Sequence, residues 1–73
     1  MKIEIEYCGQ RGYEPRARAA RDMILGLRPS AQVNLRRSSG GVFEIKVDGR
    51  VAYSKKASGR FPSDEEIRNT IKR

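Results

Sequence analysis

The sequence predicts a two-layer α/β domain, a four-stranded mixed sheet in the order β-α-β-β-β-α with both helices on one face. Three observations carry this. Four short stretches alternate apolar with polar residues, the period of half-buried strands. Between the first and second the apolar period lengthens to that of an amphipathic helix. Polar residues alternate along the first three strands, so one sheet face meets water and the helices share the other.

The first strand covers residues 2–7, with Ile3, Ile5 and Tyr7 on the dry side and Lys2, Glu4 and Glu6 on the wet side. From Pro15 to Arg28, Ala17, Ala20, Met23, Ile24 and Leu27 make a helical stripe, with Arg16, Arg18, Arg21 and Asp22 off it. Pro15 suits the first turn, where its missing N–H costs nothing, and Gly26 and Pro29 end the helix. Val33 and Leu35 mark the second strand. A helix between two strands predicts a parallel pair with a right-handed crossover. After the loop Ser38-Ser39-Gly40-Gly41, residues Phe43, Ile45 and Val47 form the third strand. Asp48-Gly49 is a two-residue hairpin signal. The fourth strand runs from Arg50 to Lys55 with Val51 and Tyr53 expected inward, and a loop follows over residues 58–62. Ser63 and Glu66 have capping-box spacing ahead of a last helix whose apolar face is Ile67 and Ile71.

At 73 residues the chain reads as one domain, 1–73. A domain this small buries only about 60% of its unfolded surface. With one cysteine and no histidine it has neither an internal disulfide nor the ligands of a closed zinc site, so packing alone must hold it. Lys2, Glu4 and Glu6 interrupt the first apolar residues, unlike a signal peptide, and no apolar run is long enough to span a membrane. These absences, with cysteine used once, point to a reduced, cytoplasmic setting. Sixteen Lys and Arg against nine Asp and Glu give a net charge of +7, which raises acidic partners or nucleic acid, or serves solubility alone.

The segment Tyr7-Cys8-Gly9-Gln10-Arg11-Gly12-Tyr13-Glu14-Pro15-Arg16 sets the only cysteine between a strand and a helix. Unpaired N–H groups and a helix dipole at such a junction favour thiolate. The alternative is a small apolar side chain buried at a strand end. This segment, with Gly40-Gly41-Val42-Phe43-Glu44-Ile45, Asp48-Gly49, Ser54-Lys55, Gly59, Phe61-Pro62 and Glu66-Ile67, resembles the selenoprotein W-related family of small thioredoxin-like proteins. The matches run in order across almost the whole chain.

The resemblance implies a thioredoxin-like fold and redox work at a Cys-x-x-Sec or Cys-x-x-Cys site. Cys8 matches the first position, and Arg11 stands in the second. Selenocysteine's codon, UGA, is one base from the arginine codon CGA, so Arg11 is read as a replacement for selenocysteine that arose in evolution or in cloning. Thioredoxins carry a cis-proline before the strand facing the site; here Gly40-Gly41 takes that place. The candidate catalytic residues are therefore Cys8 and Arg11, and the candidate substrate contacts are Gly9, Gly12, Tyr13, Gly40 and Gly41. No metal or resident cofactor is expected. With no second sulfur, an outside thiol such as glutathione must resolve Cys8. Thiol and disulfide proteins are the expected partners.

Tyr7 and Tyr13 could line a groove, but half-buried packing suits them better. Phe61-Pro62 reads as a cap on the core. One competing reading is an interaction scaffold that lost its chemistry with the second sulfur. Another is a basic nucleic-acid binder, since residues from 15 onward share the α-β-β-β-α order of double-stranded-RNA-binding domains. There the basic pair Lys55-Lys56 lies several residues ahead of the last helix, out of reach of the helix-end geometry that grips phosphates. The chain leaves oligomeric state open, although an edge strand could pair with a second copy.

Overall fold

A computed structural model describes residues 1–72. Strand β1 (Lys2–Cys8) is followed by helix α1 (Glu14–Leu27), then β2 (Gln32–Ser38), β3 (Phe43–Val47) and β4 (Arg50–Ser54). A one-turn helix α2 (Lys55–Ser58) and helix α3 (Asp64–Thr70) complete the chain. The sheet order is β2-β1-β3-β4, with β1 parallel to β2 and antiparallel to β3, and β3 antiparallel to β4. The first strand is thus central, and its alternation drives the layering. Ile3, Ile5 and Tyr7 bury one face beside Phe43, Ile45 and Val47, while α1 and α3 cover that face with Ala17, Ala20, Ile24, Ile67 and Ile71. The opposite face stays wet and is laced by ion pairs, Arg36 to Glu4 at 3.5 Å and Lys46 to Glu6 at 4.0 Å. Such half-exposed pairs contribute little stability.

The β3–β4 turn is held twice over. Asp48 and Gly49 take φ of 50° and 85°, as a type I′ turn demands. The Asp48 N–H donates to the Lys2 carbonyl at 2.7 Å, and Asp48 Oδ1 accepts from the Lys2 N–H at 2.8 Å.

Three expectations are corrected. Val51 was expected inward with Tyr53, yet it is 51% exposed. The pairing shifts between Ile45 and Lys46: Ile45 opposes Tyr53 whereas Lys46 opposes Val51. The extra residue, Ala52, is a bulge that breaks strict alternation, so Val51 joins Lys46 on the wet face. Lys55 belongs not to β4 but to α2, which Ser54 caps by accepting from the Ala57 N–H and which Gly59 ends with φ of 81°. Leu27, counted in the helical stripe, is 48% exposed, because it borders an open hollow beside Arg28, Glu65 and Arg68 that the seven-residue α3 does not fill.

The capping box forms as its spacing predicts. Ser63 Oγ accepts from the Glu66 N–H at 3.1 Å, and Glu66 Oε1 accepts from the Ser63 N–H at 2.9 Å. Arg60 adds a two-pronged contact to the same carboxylate, at 2.5 and 2.7 Å. The Arg60 bonds, then the Ser63 N–H, hold the Glu66 carboxyl down to about 2 from its ordinary 4.5. Its folded value lies below its unfolded one, so its stabilisation is complete above 4.5 and is lost as pH falls through about 2. The urea midpoint is expected to fall across that acid window and to flatten there in Glu66→Gln. Ser63→Ala should cost about 1 kcal/mol at neutral pH. An unchanged acid limb in Glu66→Gln would contradict the assignment.

Candidate functional site

Cys8 ends the central strand, and the two loops that flank it there are stitched to it by backbone. The Cys8 N–H donates to the Val42 carbonyl at 2.9 Å, the Gly9 N–H to Ser38 at 3.0 Å, and the Tyr13 N–H to the Cys8 carbonyl at 3.2 Å. Between them Gly9 to Gly12 closes a turn, with the Gly12 N–H on the Gly9 carbonyl at 3.1 Å. The thiol therefore sits where the 9–12 turn and the 40–41 loop converge.

Cys8 is only 1% exposed, as the alternative of a side chain buried at a strand end requires. Its burial is of a particular kind. Cys8 follows Tyr7 along the strand and so leaves the dry face; it is absent from the aliphatic core. Burial pushes the thiol up, but it is outweighed by the backbone N–H groups of Gly41, Arg11 and Gln10 and by the Arg11 charge, leaving the thiol below its ordinary 9.0. Three amides aimed at one atom form a small anion nest. The donors also correct the sequence reading: they come from the two loops, not from the first turn of α1. Chain alternation showed where the cysteine lay; only the folded loops show which amides face it.

The glycines have distinct reasons. Gly40 and Gly41 take φ of 79° and 74°, a left-handed turn that side chains resist. The Gly41 amide is the leading backbone group that lowers the Cys8 thiol. Gly9 answers a close approach: a methyl group there would overlap the Arg37 guanidinium. On the other side, a methyl group on Gly41 would stand 3.0 Å from Arg11 Nη1. One arginine thus lies against each glycine lip of the thiol site. Arg37 was not among the candidate residues; it was legible only as half of a basic pair, and its approach to Gly9 depends on the parallel pairing of Cys8 with Ser38.

Tyr13 is brought near the site but works as wall. Its ring meets Phe61 edge-on at 4.7 Å, and Phe61 meets Phe43 at 5.4 Å. Arg16 lies 4.1 Å over the Phe61 ring, and Lys55 lies 5.5 Å over Tyr13 and 5.3 Å over Phe61. This aromatic stack anchors the start of α1 and hence the end of the 9–12 turn. Tyr7, 6% exposed, is core. No group of three or more histidine, cysteine or acidic side chains suited to a metal occurs among the described residues. No helix among them is long and apolar enough to cross a membrane.

The geometry has close counterparts. A Vibrio cholerae selenoprotein W-related protein superposes with a TM-score of 0.90 at 28% identity, covering 96% of this chain and 90% of its own. A Bordetella parapertussis protein gives a TM-score of 0.90 at 26% identity, covering 96% and 91%. Among curated proteins the chain is 27% identical over 73 residues to bovine migration and invasion enhancer 1 and 28% identical to the mouse protein. It spans 64% of the length of each. The Rdx family profile matches residues 2–73. This chain therefore belongs to the Rdx family, and its four-stranded mixed sheet is the thioredoxin-like architecture of selenoprotein W-related redox proteins.

Proposed function

We propose that the protein is a thiol oxidoreductase of cellular redox homeostasis in which Cys8 is the only nucleophile and glutathione completes the cycle. The observation that supports this most is the amide nest on the Cys8 sulfur, which favours the attacking thiolate despite burial. The thiolate attacks one sulfur of a partner disulfide; that S–S bond breaks, and the leaving sulfur departs as thiolate and takes a proton. Glutathione thiolate then attacks the Cys8 sulfur, releasing the partner as thiol. A second glutathione attacks the glutathione sulfur bound to Cys8, restoring the Cys8 thiolate and yielding glutathione disulfide. The partner is reduced and glutathione oxidised, with Arg11 offering charge but no second sulfur. Since Cys8 is 1% exposed, the 9–12 turn or the 40–41 loop must open before a partner sulfur reaches it.

The test is the rate of Cys8 alkylation by iodoacetamide against pH. Its midpoint is expected below 9.0, because a depressed value populates thiolate at lower pH. Arg11→Gln should move that midpoint up only slightly, since backbone amides outweigh the Arg11 charge. A midpoint at or above 9.0 would retire the reading. Burial of the sulfur favours a second reading, a scaffold without turnover. A disulfide reductase assay supplied with glutathione separates the two, because a scaffold consumes none.

A further inference from the structure

The topology gathers positive charge at the thiol. Because β2 and β4 both run parallel to β1, the C-terminal ends of all three strands share one edge of the sheet with the start of β3. Onto that edge fall Cys8, Arg37 on β2, Arg11 in the following turn, and Lys55 and Lys56 just past β4. None of these four cations forms an ion pair among the described residues, where every ion pair uses other side chains. The nearby acids are engaged: Glu14 by Arg18 at 2.7 Å, Glu44 by the Ser54 hydroxyl at 2.8 Å, and Glu66 by Arg60 at 2.5 Å. Lys55 rests over the Tyr13 and Phe61 rings, and Arg11, Arg37 and Lys56 make the edge a cationic rim with no acidic partner among the described residues.

We propose that this rim docks an acidic polypeptide, with carboxylates beside its reactive sulfur held by Arg11 and Arg37 and a further acidic residue reaching Lys56. This rests on the redox reading of Cys8 and adds the class of partner. The rim crosses four strands, about 14 Å at the usual strand spacing, which exceeds one small anion. Arg11 and Arg37 rest against glycine lips, so a partner backbone approaching the thiol passes between two guanidiniums, each able to hold a carboxylate through paired N–H donors. Duplex RNA would suit the charge but offers no sulfur for the thiolate.

The experiment uses blocked peptides whose central cysteine carries a 2-pyridyl disulfide and is flanked by glutamates, serines or lysines. Cys8 thiolate attacks the peptide sulfur, the S–S bond breaks, and 2-thiopyridone leaves as the chromophore. Each rate is divided by that of mercaptoethanol with the same peptide, which removes the peptide's own reactivity. The glutamate peptide should outpace the lysine peptide by about tenfold or more at low salt, the scale of electrostatic steering. The advantage should shrink steeply toward about 0.5 M salt, where the screening length is only a few ångströms. Arg37→Gln and Lys56→Gln should each lower the glutamate-to-lysine ratio.

Equal normalised rates at low salt overturn the acidic partner and leave the redox reading standing. The same advantage for a small nitrobenzoate disulfide, with no dependence on Lys56, overturns the polypeptide in favour of a small anion. Duplex RNA that blocks exchange at physiological salt makes the rim a phosphate site and overturns it too. A Cys8 inert to every disulfide and to iodoacetamide removes both this proposal and the redox reading.

Discussion

Phe43→Ala is expected to remove most of the domain's stability. Phe43 is 1% exposed and is the largest fully buried side chain. It opens β3 opposite Tyr7 and supports Phe61, whose ring in turn meets Tyr13. Truncating a buried phenylalanine costs about 3–5 kcal/mol. A domain of this size has roughly 4–11 kcal/mol in total, at the usual 0.05–0.15 per residue. No disulfide exists to offset the loss, since the one cysteine is unpaired. Urea denaturation should show a collapsed midpoint with little change in slope. A loss under about 1 kcal/mol would mean that the aromatic stack is replaceable and does not anchor the 9–12 turn. If the variant retains a folded fraction, its Cys8 should alkylate faster, because the wall behind Tyr13 has been removed.

Arg11→Cys should convert the site from one sulfur to two. The Arg11 and Gly41 backbone amides both act on the Cys8 thiol to lower it, and the Arg11 side chain runs on to Gly41. A sulfur on the β-carbon of residue 11 therefore starts beside Cys8. Disulfide closure needs α-carbons about 4.4–6.8 Å apart, which a tight turn of this length supplies. The oxidised variant should lose two protons by mass and resist alkylation until reduced. It should also resolve its mixed disulfide without glutathione. Held reactants reach effective concentrations of about 10⁵ M or more, far above any external thiol. A variant that stays dithiol under mild oxidant would show that the turn does not permit a Cys-x-x-Cys geometry, and it would favour the scaffold reading.

The strand and helix order was legible because each buried face follows from local period. Ile3, Ile5 and Tyr7, then Ala17, Ala20 and Ile24, repeat at two and at about 3.6 residues, and each set lies on the single dry layer. Asp48-Gly49 and the Ser63–Glu66 pair were equally plain, since both obey rules spanning only a few residues. The Ala52 bulge was not, because a bulge is a mismatch between two strands and leaves no mark on one of them. Helix α2 was missed for a related reason: its four residues complete barely one turn, too few to repeat a period.

The same division holds at the site. Residue order alone places the only cysteine at a strand end, with Arg11 three residues on, and it sets the excess of positive charge. Those properties belong to the chain, whatever packs around it. That the sulfur is buried to 1% yet faces three amides, that Arg37 lies across Gly9, and that the cations gather on one edge depend on segments dozens of residues apart meeting. Hydrogen-bond direction and burial are set by distances in space, and those exist only after β2 and β3 have closed around the central strand.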